Sequence, residues 1–241
     1  MQRIAYIDIL GFWVYNIKVK TIRRKDFKMN NTIKSIEANK IIVIVRGVKR
    51  ENLIDLAEAM YKGGIRLMEC TYDAKGITTD EQTAANIEML AKHFEGRMLI
   101  GAGTVLTEKQ VELTAKAGGK FIISPDTNAD VIKKTKELGL VSIPGALTPT
   151  EATAAHRAGA DFVKLFPVGA FNAQYVKDIS APLSHIRFLA VGGVNDENMK
   201  DFFSAGACGI GVGSAIVNKK LIEAGDFAAI TDMAKKYTDK L

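Results

Sequence analysis

Short apolar runs rich in β-branched residues alternate with amphipathic helical stretches from about residue 40 to the end of the chain. Eight runs have strand length: 41–46, 65–71, 98–102, 120–124, 140–143, 161–166, 187–191 and 208–212. Strands that alternate with helices in this way predict βαβ units and a parallel sheet. Thr107 and Thr148, each three residues before a Gln or Glu, have the pattern of capping boxes, and Asn195 before two acidic residues predicts another helix start.

A weak internal repeat favours closure of this sheet into a barrel. Four small-residue pairs each end a helix and lead into an even-numbered strand: Gly63-Gly64, Gly118-Gly119, Gly159-Ala160 and Gly206-Ala207. Their spacings of 55, 41 and 47 residues would each hold two βα units. Four such quarters predict an α/β fold, a (β/α)8 TIM barrel. A doubly wound open sheet is the alternative, but no G-x-G-x-x-G follows the first strand.

The composition indicates a folded protein, since 47% of the residues are hydrophobic and only 5 are proline. Cys70 and Cys208 lie in apolar segments, which is typical of buried thiols in a reducing compartment, so we expect a cytoplasmic protein. Neither cysteine nor the three scattered histidines have the spacing of metal ligands, and we expect no metal.

The net charge of +6 belongs mostly to the first 28 residues, which hold seven basic residues against two acidic ones. The remaining chain has 26 basic and 25 acidic residues, with no basic cluster that interleaves aromatic side chains. This distribution argues against nucleic-acid binding.

Residues 1–28 are the least informative part of the sequence. Their apolar stretch is interrupted by Asp8 and followed, not preceded, by basic residues, which is not the order of a signal peptide, and it is too short to span a bilayer. A peripheral membrane anchor with Phe12, Trp13 and Tyr15 is one interpretation. We favour an over-extended reading frame with a natural start at Met29, and therefore place the barrel domain at 29–241 and expect no membrane association.

Lys164 lies in the sixth predicted strand, where the alternation places it on one face with Phe162 and Phe166. Burial lowers the pKa of a lysine, and a neutral amine in a closed pocket is what Schiff-base chemistry requires. The alternative is a lysine that extends to the barrel rim or pairs with a carboxylate. Glu69 likewise shares a face with Ile65 and Leu67, so it suits a general acid/base or, alternatively, an ion pair with Arg46 or Lys164.

The ends of the predicted strands carry nearly all the other chemically useful residues. In a barrel of this kind the site is built where strands end and βα loops begin. Gly192 and Gly193 after strand seven, and Gly211, Gly213 and Ser214 after strand eight, occupy the usual phosphate position, although glycine is also common in tight turns. Thr104 follows a glycine-rich strand end and could bind a ligand or cap local backbone.

Several motifs, in order and in register from about residue 41 to the end, resemble the 2-keto-3-deoxy-6-phosphogluconate aldolase family, also known as 4-hydroxy-2-oxoglutarate aldolase. They are Ile100-Gly-Ala-Gly-Thr-Val-Leu106, Ile123-Ser-Pro125, Ile143-Pro-Gly145 with Thr148-Pro-Thr-Glu151, Phe162-Val-Lys-Leu-Phe-Pro167 and Ala190-Val-Gly-Gly-Val194. The resemblance implies a class I aldolase on a (β/α)8 barrel, without cofactor or metal, usually trimeric, acting on a small keto acid.

The resemblance also implies a role for each matching residue. Lys164 would form the Schiff base and Glu69 would be the general acid/base. Thr104 would contact the pyruvate carboxylate, with Pro125 and Phe166 lining the pocket. The phosphate would be held by Gly192, Gly193, Gly213 and Ser214.

The sequence departs from the family pattern at two places. Glu69-Cys70-Thr71 continues as Tyr72-Asp73, without the arginine that binds pyruvate in some members, and we expect Arg46 to substitute for it. Val191 stands where many gluconate-type enzymes have a threonine, and the Ala-Val version resembles the phosphogalactonate branch. The rival functions are a phosphate-binding isomerase or epimerase without a Schiff base, and a sugar-acid-phosphate sensor without catalysis.

Overall fold

Nine parallel strands enclose an apolar interior in the computed structural model, which describes residues 26 and 28–241. The strands are β1 (Ile41–Val45), β2 (Leu67–Thr71), β3 (Leu99–Gly103), β4 (Phe121–Ile123), β5 (Val141–Ile143), β6 (Gly145–Ala146), β7 (Val163–Leu165), β8 (Phe188–Val191) and β9 (Gly209–Val212). The helices are α1 (28–39), α2 (Leu53–Lys62), α3 (Asp80–His93), α4 (Glu108–Lys116), α5 (Ala129–Glu137), α6 (Pro149–Arg157), α7 (Asn172–Ser180), α8 (Met199–Ser204), α9 (Lys219–Glu223) and α10 (Phe227–Thr238). No helix in this described part of the chain is long and apolar enough to cross a membrane.

The sheet closes through a fifth strand that is split in two. The strand order is β5-β4-β3-β2-β1-β9-β8-β7-β6, so its two ends are neighbours in the chain, separated by Pro144 alone. Proline has no N–H for a ladder bond. β5 therefore pairs with β4, and beyond the proline β6 pairs with β7, while the Pro144 carbonyl accepts from Lys164 N at 2.9 Å. The predicted (β/α)8 TIM barrel is confirmed, with a fifth strand that continues beyond the expected 140–143.

The helix ends follow the predicted signals in most places. Gly118, Gly159 and Gly206 have φ values of 84°, 105° and 104°, and each ends its helix in the left-handed conformation. Gly139, which belongs to none of the four pairs, does the same before β5.

The predicted helix starts divide into one confirmed capping box and two variants. Thr148 and Glu151 exchange both bonds of the capping box. Thr107 accepts from the backbone of Gln110, whose side chain, however, accepts from Leu106 N rather than Thr107 N. Asn195 accepts from the amides of Glu197 and Asn198 through its side chain, as an N-cap residue does, although the regular helix α8 begins only at Met199.

The barrel interior is filled by inward-facing residues of β1, β2, β4, β5 and β8 and by Phe162 just before β7, and its base is covered by α1. The interior cluster consists of Ile42, Leu67, Phe121, Ile123, Val141, Ile143, Phe162, Leu189 and Val191, together with Ile36 of α1. Met29 and Ile33 pack against the same cluster. Within the described residues, the helices therefore cover the outside of the sheet, α1 closes its N-terminal end, and the C-terminal end is open. The proposed boundary at Met29 stays a prediction, because nearly all of 1–28 lies outside the described residues.

Candidate active site

All ten residues predicted for the site line one cavity of about 540 Å³ at the C-terminal ends of the strands. They are Arg46, Glu69, Thr104, Pro125, Lys164, Phe166, Gly192, Gly193, Gly213 and Ser214. The parallel strands bring these residues together because every strand ends at the same rim of the barrel.

Lys164 extends from β7 into the barrel, and its side chain does not reach the rim. The residue is 8% exposed, and its Nζ lies 4.6 Å from the centroid of the Phe166 ring. Burial lowers the pKa of the amine, and the charge of Arg46 lowers it further, while the negative charge of Glu69 acts in the opposite direction. The amine is therefore easier to deprotonate than an ordinary lysine.

Glu69 extends inward from β2 and is only 2% exposed. Burial raises the pKa of its carboxyl to about 7, although Lys164 and Arg46 both favour the charged form. Its Oε2 atom has no hydrogen-bond partner within the described residues. A buried carboxyl that titrates near neutral pH and keeps a free oxygen is able to accept and return a proton.

Arg46 forms a hydrogen bond with Thr104, which lies 58 residues further along the chain. The Arg46 Nη2 donates to the Thr104 Oγ1 at 2.7 Å. Thr104 has a φ of 56°, a left-handed conformation that a β-branched residue rarely adopts. Because Arg46 occupies the acceptor side of the hydroxyl, the Thr104 proton is free to be donated into the cavity. The pair therefore offers two adjacent donors to a carboxylate.

The two glycine loops, which follow β8 and β9, line the same cavity. Gly192 and Gly193 have φ values of 88° and 83°, and a Cβ on Gly193 would lie 2.7 Å from the Cα of Gly169. Gly213 is not constrained in this way, because a Cβ there would meet Ile44 at an ordinary 3.7 Å. Within the described part of the chain, the backbone N–H groups of Gly193 and Ser214 donate to no protein acceptor. Free amides of this kind suit an anion.

Six further residues line the same cavity: Ile44, Val191, Val194, Asn195, Gly211 and Ala215. Of these, the sequence had placed only Val191 and Gly211 near the glycine loops. Ile44, Val191 and Gly211 follow from strand alternation, since they face inward on β1, β8 and β9. Among these six residues, Asn195 has a side chain that can form hydrogen bonds. It lies two residues after Gly193 in the same loop, and this position could have identified it from the sequence.

Among the residues that the structure describes, the cavity lining holds one carboxylate and no histidine or cysteine. Across the described residues, no group of three His, Cys, Asp or Glu side chains could hold a metal ion. Burial raises the pKa of the Cys70 thiol to about 12 and that of Cys208 to about 11, so neither forms a thiolate near neutral pH.

A buried amine of lowered pKa beside a carboxyl of raised pKa, at the open end of a (β/α)8 barrel, defines an enzyme that forms a Schiff base with a carbonyl compound. The family model described as "KDPG and KHG aldolase" matches residues 32–233. The chain belongs to this aldolase family, and the resemblance seen in the sequence motifs is confirmed.

Two curated relatives and one solved structure illustrate the similarity. The chain is 35% identical over 175 residues to a 2-dehydro-3-deoxy-6-phosphogalactonate aldolase of Escherichia coli, covering 72% of this chain and 82% of the relative. It is 30% identical over 216 residues to a 2-dehydro-3-deoxy-phosphogluconate aldolase of Treponema pallidum, covering 86% and 96%. A KDPG aldolase of Legionella pneumophila, solved with pyruvate captured as a covalent carbinolamine, matches with a TM-score of 0.74 and 27% identity, over 83% of this chain and 94% of that one.

Proposed function

We propose that Lys164 and Glu69 carry out class I aldol cleavage of a 2-keto-3-deoxy-6-phospho sugar acid, or of 4-hydroxy-2-oxoglutarate, to pyruvate and an aldehyde. The observation that supports this assignment is the burial of both groups beside one cavity at the open end of the barrel, with pKa values displaced toward each other. Displaced pKa values of this kind divide the roles of nucleophile and acid/base at neutral pH.

Cleavage begins when the neutral amine of Lys164 attacks C2 of the keto acid. The carbinolamine loses water and becomes an iminium, which withdraws electrons from C3. The Glu69 carboxylate takes the proton of the C4 hydroxyl, the C3–C4 bond breaks, and its electron pair forms the enamine while the aldehyde leaves. Glu69 then returns the proton to C3, and water hydrolyses the iminium to release pyruvate and the free amine. The iminium is the electron sink, so the residues present supply every step.

The two ends of the cavity would hold the two anionic ends of the substrate. The Arg46–Thr104 pair provides donors for the pyruvate carboxylate, next to Lys164. The free amides of Gly193 and Ser214, with the Ser214 hydroxyl, provide donors for a phosphate. Pro125 and Phe166 line the wall of the cavity.

The phosphogalactonate branch is the substrate class that we favour. Val191 lines the cavity with a methyl surface where a threonine would offer a hydroxyl. The higher identity to the phosphogalactonate aldolase of Escherichia coli points the same way. Comparison of kcat/KM for 2-keto-3-deoxy-6-phosphogluconate, its galactonate epimer and 4-hydroxy-2-oxoglutarate tests this choice, and a clear preference for the gluconate form would contradict it.

We also propose a homotrimer, as the family resemblance implies. Ile77 is 82% exposed at the tip of the loop after β2, and the Asp73 carboxylate holds this loop through the amides of Lys75, Ile77 and Thr78. A fixed loop that presents an apolar side chain to solvent suits a contact between subunits. Sedimentation equilibrium should give three times the 26.2 kDa of one chain, and Ile77→Asp should weaken the association.

Borohydride reduction in the presence of pyruvate tests the proposed chemistry directly. An aldolase of this kind gains one reduced pyruvate on the peptide that contains Lys164. An isomerase that uses Lys164 and Glu69 only for proton transfer gains none, and neither does a sensor that binds without reaction. Absence of the adduct at saturating pyruvate would therefore reject the assignment.

A further inference from the structure

The Glu69 side chain reaches across the neighbouring strand and ends against Gly103. In the parallel register of β2 and β3, Glu69 lies opposite Gly101 and Thr71 lies opposite Gly103. The carboxylate therefore leans toward the open end of the barrel, over the diagonal neighbour of its own position. A Cβ on Gly103 would lie 2.5 Å from the carboxyl carbon of Glu69 and 2.9 Å from its Oε2. Side chains do not approach a Cβ so closely, so only glycine at 103 leaves this space for the carboxylate.

Backbone conformation does not explain why residue 103 is a glycine. Gly103 is the last residue of β3 and is absent from the glycines of positive φ within the described chain. An alanine could adopt this extended conformation, and in a strand it would cost less conformational entropy than glycine does. Gly101 on the same strand has a different reason, because a Cβ there would lie 2.7 Å from Cγ of the Phe121 ring in the core. The two glycines thus make room for one core ring and one reactive carboxylate.

We propose that Gly103 is a positioning residue that fixes the Glu69 carboxylate over the substrate carbon from which it takes and to which it returns a proton. The inference rests on the proposed function and specifies how Glu69 is aimed. In the half-reaction with pyruvate, the C3–H bond of the Lys164 iminium breaks, the proton passes to a Glu69 oxygen, and the electron pair forms the enamine. A methyl group at position 103 displaces the carboxylate from its place, and a displacement of about 1 Å costs on the order of a hundredfold in rate.

The decisive experiment measures exchange of the pyruvate methyl protons with deuterium by NMR, because this reaction uses Glu69 but needs no aldehyde. Gly103→Ala should slow exchange by about a hundredfold. The equilibrium amount of pyruvate trapped on Lys164 by borohydride should stay within about twofold of wild type. Exchange at the wild-type rate in Gly103→Ala would overturn the proposal.

A double-mutant cycle distinguishes displacement of Glu69 from general damage to β3. Glu69→Ala vacates the space beside Gly103, so Gly103→Ala should change neither the residual exchange rate nor the melting temperature in that background. The same substitution should lower the melting temperature when Glu69 is present. This comparison remains informative even if the Gly103→Ala single variant folds poorly, since the double variant relieves the overlap. A double variant that is slower or less stable than Glu69→Ala alone would reject the positioning role.

Gly101→Ala is the matched control within the same strand. Its Cβ meets Phe121 and not the carboxylate, so its loss of stability should persist in the Glu69→Ala background. If the wild-type protein itself traps no pyruvate on Lys164, the proposed function fails and not the role of Gly103. If trapping is normal and the cycle shows no coupling, the positioning role fails and the aldolase assignment stands.

Discussion

The two ends of this barrel each contain a lysine and an acidic residue, and the two pairs are built in opposite ways. At the closed end, Lys136 donates to both oxygens of Asp161, at 2.5 and 2.6 Å, and Asp161 also accepts from the Ser142 amide. At the open end, Lys164 and Glu69 are both more deeply buried, yet the Glu69 Oε2 has no partner within the described residues. The Lys136–Asp161 pair is therefore hydrogen-bonded through both carboxylate oxygens, and it holds α5 to the start of β7.

The difference shows what a chemically useful pair requires. A pair that satisfies its charges is stable and unreactive, because its proton is fixed by the partner. A buried pair without full hydrogen bonding shifts toward neutrality, so its amine loses a proton more easily and its carboxyl keeps one more easily. The open end gives up stability to retain this reactivity.

Replacing each of the two lysines with methionine should have opposite effects. Lys164→Met should lose activity and gain stability, whereas Lys136→Met should keep activity and lose stability. Lys164→Met should remove cleavage and pyruvate trapping, because methionine keeps an apolar stem and has no amine; activity should fall by at least about a thousandfold. Its stability at pH 7 should rise: the unfolded lysine keeps its proton up to about pH 10.5 and the folded one loses it earlier, so burial is costly below that range. Purified enzyme that kept a few per cent of wild-type activity would contradict the Schiff-base role.

Lys136→Met is the matched control at the closed end. It breaks the bonds to Asp161 and should lower the free energy of unfolding by about 1–3 kcal/mol. Pyruvate trapping and kcat/KM, measured where the variant is fully folded, should stay near wild type. A loss of activity as large as that of Lys164→Met would show that the two ends are not independent.

Glu69→Gln should lower kcat by about a hundredfold to ten-thousandfold, the usual contribution of a general acid/base. The base must be ionised, and its pKa is raised to about 7, so wild-type activity should fall below about pH 7. Two results would contradict the assignment. One is a wild-type pH profile of kcat/KM that does not fall below about pH 7, and the other is a Glu69→Gln profile with the same fall as wild type.

The same substitution should change how stability depends on pH. The folded carboxyl keeps its proton up to about pH 7, whereas the unfolded one releases it near 4.5. The folded state thus binds more protons in this window, and stability falls as the pH rises through it. At about 1.4 kcal/mol for each pKa unit, the loss approaches about 3 kcal/mol above pH 7. Urea unfolding at pH 4 and pH 8 should show this fall in wild type and little of it in Glu69→Gln.

Much of the fold and the cavity could be predicted because local patterns carry them. Strand alternation places Lys164 and Glu69 on inward faces, and the rule that strands end at one rim brings the residues of the cavity together. The proposed phosphate loops were predicted mainly from glycine, which marks a turn as readily as a ligand site.

Features that depend on neighbouring strands could not be predicted. Pro144 was interpreted as a strand end, and only the pairing with β7 shows that the strand continues beyond it. The bond between Arg46 and Thr104 joins distant segments. In the sequence, Gly101 and Gly103 are only a glycine-rich strand end before Thr104, whereas the side chains that need the space, Phe121 and Glu69, come from the strands on either side. No local pattern contains that information.

Ser214→Ala should have a smaller effect than any change at the Lys164–Glu69 pair, because the residue offers one neutral hydrogen bond at the rim. Loss of that bond should cost about 1–2 kcal/mol, or roughly tenfold in kcat/KM for a phosphorylated substrate. Gly213→Leu adds bulk in the same loop and should raise KM strongly for that substrate, whereas Gly193 also packs on Gly169 and is a poorer test. Pyruvate trapping should survive both changes. If the two variants lower kcat/KM equally for 4-hydroxy-2-oxoglutarate, which has no phosphate, the loops are structural.

Removal of residues 1–28 should have the smallest effect, because the helix that covers the closed end still begins at Met29. The side chains that α1 contributes to the barrel interior are Met29, Ile33 and Ile36, and all remain in the shortened chain. We expect kcat/KM near wild type and a change in the free energy of unfolding within about 0.5 kcal/mol. Ile36→Ala is the contrasting variant, since it leaves a cavity under the barrel and should cost about 2–5 kcal/mol. A shortened chain that unfolds as readily as Ile36→Ala would place the first 28 residues within the folded domain.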